Sequence, residues 1–135
     1  MKVLVDTSVW SLALRRNQPA DGPEVSELIE LIREARVLMI GPVRQELLSG
    51  IKDHAQFRKL RNHLRSFPDF ELTIRDYEYA AEFFNLCRGK GVQGSNTDFL
   101  ICAVAADHKL PIFTTDGDFT QFQTYLPITL HRTRY

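Results

Sequence analysis

The chain opens Met-Lys-Val-Leu-Val-Asp-Thr-Ser-Val-Trp, and no other stretch restricts the fold as much. Val3, Leu4 and Val5 form an unbroken aliphatic run that is too short for a helix and has no polar face. Such a run suits a strand buried on both sides, the kind found in parallel sheets. Asp6, Thr7 and Ser8 then supply three residue types that favour helix N-termini, and Val9, Trp10, Leu12, Ala13 and Leu14 continue as a helix. Asp6 thus stands where a buried strand hands over to a helix. In open α/β sheets that edge, the carboxyl end of the strands, is where ligands bind.

The same pattern of strand, turn and helix recurs along the chain. After a loop over Gln18–Gly22, Pro23 opens a helix, and Val25, Leu28, Ile29 and Ile32 carry it at helical spacing to about Arg36. Val37–Ile40 reads as a second apolar strand. Gly41-Pro42 ends it and starts a helix over Val43–Ser49, stopped by Gly50. A further amphipathic helix spans His54–Phe67 and ends at Pro68, followed by a short strand over Phe70–Ile74. Tyr77–Arg88 is helical, with Gly89, Gly91 and Gly94 breaking it. Ser95 or Thr97 caps the next helix, which runs to His108 and is apolar on every side, so it belongs in the core. Pro111–Thr114 is a strand, Thr115-Asp116-Gly117-Asp118 a turn, and residues 127–131 a last strand. Short buried strands alternating with helices define an α/β fold, three-layered around a short parallel sheet. The 135 residues form one expected domain, large enough to bury about two thirds of the unfolded surface.

A chain that is 44% hydrophobic and 25% charged is an ordinary globular composition, which argues against disorder. Nothing approaches the ~18 consecutive apolar residues of a membrane span, and the first apolar run is too short for a signal-peptide core. A cytoplasmic location is expected. Seventeen basic and seventeen acidic side chains cancel, so there is no global electrostatic footprint for nucleic acid. Cys87 and Cys102 lack ligand spacing, and Cys102 reads as a small core residue. His54, His63, His108 and His131 show no spacing for a metal site or a catalytic pair, which places them on the surface or in loops.

The chemistry lies in the carboxylates. Asp6 follows the first strand, and Asp116 follows a later one by two residues. Glu46 sits one turn into the helix after the second strand, about 60° around from Val43, and so borders its buried stripe. Asp98 lies in the first turn of the all-apolar helix, where the N-terminal dipole favours a negative charge. Taken singly, Asp6 and Asp98 are explained as caps, Glu46 as a solvated helix residue, and Asp116 and Asp118 as turn residues. Taken together, they recur at successive strand ends, and parallel neighbouring strands bring them to one sheet edge. Two charges about 4 Å apart repel by roughly 4 kcal/mol at an effective dielectric of 20. Three or four therefore require protonation or a cation. An all-oxygen donor set selects hard ions, Mg²⁺ or Mn²⁺, and suits phosphoryl chemistry.

Four segments, Val-Leu-Val-Asp-Thr-Ser-Val-Trp, Pro-Val-Arg-Gln-Glu-Leu-Leu-Ser-Gly, Asp-Phe-Leu-Ile-Cys-Ala-Val-Ala and Phe-Thr-Thr-Asp-Gly-Asp-Phe, closely resemble the PIN-domain ribonucleases. In its small size the chain resembles the VapC-type toxins of toxin–antitoxin pairs. The resemblance covers nearly the whole chain in the right order. It implies a PIN-like three-layer α/β/α fold with Asp6, Glu46, Asp98 and Asp116 as the catalytic, metal-binding site. Asp118 matches a position that often assists, and Thr7 and Thr114 match hydroxyl positions beside the first and fourth acids. The implied activity is Mg²⁺- or Mn²⁺-dependent endonucleolysis of RNA. A metal-activated water would attack the phosphate, leaving 5′-phosphate and 3′-hydroxyl ends. A VapB-type antitoxin partner and homodimerisation are implied as well.

Arg44, close to Glu46, is a candidate to touch substrate phosphate or to balance the charge of the acidic site. Lys52, Arg58, Lys59, Arg61 and Arg65 could track an RNA backbone or form a solvated helix face. Ser8 and Ser11 lack the histidine and glycine pattern of a serine nucleophile. A phosphatase of the haloacid dehalogenase type would want an Asp at position 8, where Ser8 stands. A receiver domain would want a lysine after a late strand. The alternative from another class is a catalytically silent PIN-fold module that binds RNA or protein.

Overall fold

In the computed structural model, residues 1–14 and 22–135 are described. The expected loop over Gln18–Gly22 falls outside them except for Gly22. Strand β1 (Val3–Val5) is completely buried, and helix α1 (Thr7–Ala13) starts two residues later, as the Asp-Thr-Ser run requires. Helix α2 (Pro23–Arg33) precedes β2 (Val37–Leu38), and α3 (Gly41–Leu48) follows it. Then come α4 (His54–Leu64), α5 (Ile74–Gly89), α6 (Asn96–His108), β3 (Pro111–Phe113), α7 (Asp118–Tyr125) and β4 (Thr129–Leu130).

The four strands form one parallel sheet in the order β2-β1-β3-β4. Val3 stands beside Val37, Leu4 beside Ile112, and Pro111 beside Thr129. Every side chain of β1 is buried, so both faces of the sheet are covered, as a parallel sheet with crossover helices requires. The chain leaves β1 toward β2 on one side and returns to β3 on the other. The gap between the carboxyl ends of β1 and β3 is therefore the point where the strand order reverses.

Helix α6 is the central core helix its composition demands, with Phe99 through Ala105 buried without interruption. Rings of α5, α6 and α7 interlock across it: Phe84 meets Phe99, Phe99 meets Phe122, and Phe119 meets Phe122. Gly94 fits under these rings, since a Cβ there would stand 2.6 Å from Cζ of Phe122. On the other side, Trp10 of α1 packs edge-on against Phe67, with ring centroids 5.1 Å apart.

Two expectations are corrected. The strand placed over Phe70–Ile74 does not form. Only a parallel bridge between Met39 and Asp69 extends the β2 edge, with the Phe70 amide donating to the Met39 carbonyl at 2.7 Å. The strand fails because Thr73 and Asp76 make a capping box, in which the Asp76 carboxylate accepts from the Thr73 amide at 2.9 Å and starts α5 at Ile74. The sequence reading also had no helix between the Asp116 turn and the last strand, where α7 forms. None of the helices described is long and apolar enough to cross a membrane.

Candidate active site

Asp6 caps β1 at its carboxyl end, where its amide donates to the Phe113 carbonyl at 2.8 Å and its own carbonyl accepts from Val9 at 3.1 Å. The side chain is buried, and one oxygen is held from two sides. The Ser8 hydroxyl donates to Oδ2 at 2.7 Å, and the Thr114 hydroxyl of the neighbouring strand end donates to the same atom at 2.8 Å. Each hydroxyl in turn accepts a backbone amide. Thr115 donates to Ser8 at 3.0 Å and Asp116 to Thr114 at 3.0 Å. These bonds fix the direction of both hydroxyl protons. Among the described residues Oδ1 of Asp6 has no such partner.

The other acids are oriented in the same manner. Glu46, on α3, receives the Thr7 hydroxyl on Oε1 at 2.6 Å. Asp98 forms a reciprocal capping box with Ser95, taking the Ser95 amide at 3.0 Å while its own amide reaches the Ser95 hydroxyl at 3.1 Å. Oδ1 of Asp116 receives the Asp118 amide at 2.9 Å. Burial, with the nearby charges of Asp6 and Asp116, holds the Asp98 carboxyl above its ordinary value despite the bonds from Ser95.

Asp6, Glu46, Asp98 and Asp116 line one open cleft of about 650 Å³, together with Thr7, Ser8, Gln45, Ser49 and Thr97. Four acids from β1, α3, α6 and the β3–α7 turn thus converge at the point where the strand order reverses. No three of them bring ligand atoms within 4.8 Å of one another. Mutual repulsion opposes a tighter approach without a cation, and each side chain is held by its own hydroxyl or amide. A hard divalent cation fits the donor set, which is all oxygen and anionic.

Three predicted site residues are placed differently. Asp118 begins α7 and does not line the cleft; its amide supports Asp116 instead. Thr114 acts on Asp6 from beneath rather than facing the cleft. Arg44 is turned away, its guanidinium donating to the Asp69 carboxylate at 2.9 Å and to the backbone carbonyls of Leu64 and Phe67. Leu64 is the last residue of α4 and Phe67 lies three residues beyond it, so Arg44 ties down the chain where that helix ends. Reading the sequence missed Ser8 as a hub of the Asp6 network. Its only signal was a hydroxyl two residues beyond an acid at a strand end.

Two of the histidines expected on the surface or in loops are found there and also face buried acids, which the sequence did not show. His131 reaches the buried Glu27 of α2 at 2.6 Å, joined there by Arg134 at 2.7 Å. His108 ends α6 and faces the buried Asp76. Cys102 and Cys87 are free and buried, and burial pushes both thiols up.

A parallel sheet of order 2-1-3-4 with four acids at its reversal point defines an acidic-cleft α/β protein. The PIN domain family description matches residues 3–124, and the chain belongs to that family. It is similar to Ribonuclease VapC11 of Mycobacterium tuberculosis, with 31% identity over 120 residues covering 87% of this chain and 88% of the relative. Among solved structures, VapBC2 from Rickettsia felis bound to a DNA fragment from its promoter superposes with a TM-score of 0.76. Identity is 19%, and the match covers 97% of this chain and 98% of that one. FitAcB from Neisseria gonorrhoeae superposes at 0.72 with 22% identity, covering 96% of each chain. Both likenesses confirm the fold.

Proposed function

We propose that the chain is an endoribonuclease toxin of a VapBC-type pair, acting as a single nuclease domain over residues 1–135 in the cytoplasm. The observation that carries this reading is the convergence of Asp6, Glu46, Asp98 and Asp116 on one cleft, each oriented by a dedicated hydroxyl or amide. The similarity to a VapC ribonuclease supports RNA as the substrate and hydrolysis as the reaction.

Asp6, Asp98 and Asp116 would hold Mg²⁺ or Mn²⁺, with Glu46 either completing the set or positioning water. A divalent ion bound there supplies Lewis-acid stabilisation of phosphate charge and acidifies water. The protein contributes orientation. Ser8 and Thr114 lock Oδ2 of Asp6, so that Oδ1 is the atom left for the cleft. The Thr7 hydroxyl fixes Oε1 of Glu46 and leaves Oε2 to receive a proton from water or to bind the ion. Asp118 holds Asp116 through its amide. Water adds to phosphorus as the P–O3′ bond breaks, giving 3′-hydroxyl and 5′-phosphate ends.

A VapB-type antitoxin is the proposed partner, supported by the structural likeness to a VapBC complex. Homodimerisation is proposed as well, as the family resemblance implies.

The test is induction of the wild-type chain or Asp98→Asn in a bacterial host, with growth followed and new RNA 5′ ends mapped. Purified protein acting on host RNA with Mg²⁺ or Mn²⁺ is assayed in parallel. Arrest with discrete 5′-phosphate cuts, abolished by the substitution, is expected. Full arrest by the variant without new cuts would overturn catalysis and favour a binding module.

A further inference from the structure

A second group of potential ligands lies at the opposite end of α6 from the acidic cleft. Asp76 in the first turn of α5 and Asp107 and His108 in the last turn of α6 place one donor atom each within 4.8 Å of one another. No other such triad occurs among the described residues. Asp98 and His108 are ten residues apart on one helix, or about 15 Å. The two groups are therefore separate.

The independent sign of a ligand is Asp76. The residue is 1% exposed, and its Oδ1 is buried with no hydrogen-bond partner, while Oδ2 serves the α5 cap. A buried carboxylate oxygen without a donor is costly, and such atoms call for an explanation. Oδ1 points at His108 Nε2, 3.7 Å away, and the same nitrogen is 3.7 Å from Oδ2 of Asp107. Both distances are too long for a hydrogen bond, which closes at about 2.7–3.2 Å. They approach the spacing of donors that share an ion. Ligands about 2.0–2.1 Å from a tetrahedral centre stand roughly 3.3–3.4 Å apart.

The surroundings orient the donors for that role. Arg75 takes Oδ1 of Asp107 through Nε at 3.1 Å, leaving Oδ2 toward His108. The Phe70 ring meets the His108 imidazole edge-on, with centroids 4.8 Å apart, and fixes its plane. His108 is 38% exposed, which gives an ion a path inward and leaves a fourth position to water.

We propose that Asp76, Asp107 and His108 bind a divalent cation of the zinc class and so clamp the start of α5 to the end of α6. One imidazole with two carboxylates selects first-row transition ions such as Zn²⁺ or Co²⁺ over Mg²⁺, in contrast to the all-oxygen cleft. Two carboxylates against one guanidinium leave the triad with a net negative charge when His108 is neutral.

The test uses the full chain carrying Asp98→Asn and Asp116→Asn, so that loss of the acidic cleft and loss of this site are read separately. Equilibrium dialysis against Zn²⁺, Co²⁺ absorption and thermal melts with and without Zn²⁺ are compared with the same chain bearing His108→Gln or Asp107→Asn. The parent should retain one equivalent of Zn²⁺, show a Co²⁺ band of tetrahedral intensity and melt higher with Zn²⁺. Each added substitution should weaken binding by at least ~10–100-fold and remove the shift in melting. Both residues are polar and outside the core, so the variants should melt as the parent does without metal. Absence of retained zinc in the parent, or undiminished binding in both variants, would overturn the site.

Discussion

Glu27 offers the sharpest test of how this fold is held closed. Its carboxylate is only 2% exposed, yet it receives Nε2 of His131 at 2.6 Å and Nε of Arg134 at 2.7 Å. Arg134 also grips the exposed Glu34 at 2.9 Å and pulls that carboxyl down to about 2, with Arg36 assisting. Consider Arg134→Met. The loss of one hydrogen bond to a buried charge is worth roughly 1.5–3 kcal/mol, and the exposed contact with Glu34 adds little. His131 remains, so the full ~3–5 kcal/mol of an orphaned buried charge is not reached. We expect a loss of about 2–3 kcal/mol, or roughly 8–12 °C in Tm for a chain of this size.

Acidity gives a second readout. Burial raises the Glu27 carboxyl, but His131 and Arg134 outweigh it and hold the group below its usual value. A carboxyl held low stabilises the fold above its unfolded pKa near 4.5, and that contribution is lost as pH falls through the folded value. The gap between wild type and Arg134→Met should therefore be full at pH 6–7 and close as pH falls below 4.5 through the lowered folded value. Replacing both partners, as Glu27→Met with Arg134→Met, should restore much of the stability, because no buried charge is left unpaired. Thermal and urea melts across pH give all three quantities. Additive losses in the double variant, or a gap independent of pH, would refute the reasoning.

Other consequences can be checked directly. Thr114→Val removes one of the two hydroxyls on Oδ2 of Asp6 and should lower divalent-ion affinity and RNA cleavage by roughly 10–100-fold, read by calorimetry and single-turnover assays. Chelation of divalent ions should abolish cleavage, and Mg²⁺ or Mn²⁺ should restore it; full activity in chelator would count against the acidic site. Gly94→Ala forces a methyl against the Phe122 and Phe99 rings and should cost about 1–3 kcal/mol in urea melts. Neither Cys87 nor Cys102 should react with a thiol reagent at pH 8 in the native state, since both are buried with their thiols pushed up, whereas both should react in denaturant.

The strand β1, its acid and the apolar helix α6 were readable because each depends on local pattern: an unbroken β-branched run, a capping residue, an apolar stripe without a polar face. The four acids followed once strand ends could be located. Helix α7 escaped because Asp-Gly-Asp reads as a turn and the following Phe-Thr-Gln-Phe-Gln carries only two buried rings. The false strand at Phe70 came from missing the Thr73–Asp76 box. Arg44 was misread because proximity to Glu46 in sequence says nothing about the carbonyls of Leu64 and Phe67, which lie some twenty residues on. The pairs His108–Asp76 and His131–Glu27 were invisible for the same reason. Their partners are brought together only by the packing of α5 on α6 and by the residues after β4 returning to α2.

The bond from Thr114 to Asp6 joins residues 108 positions apart. Asp6 precedes β3 by more than a hundred residues, and until β3 pairs with β1 the carboxylate has neither its second hydroxyl nor Asp116 as a neighbour. A partly made chain, or one cut before residue 111, thus holds no assembled cleft. For a protein that attacks RNA, the site therefore exists only once β1 and β3 have joined, and a fragment without β3 lacks it.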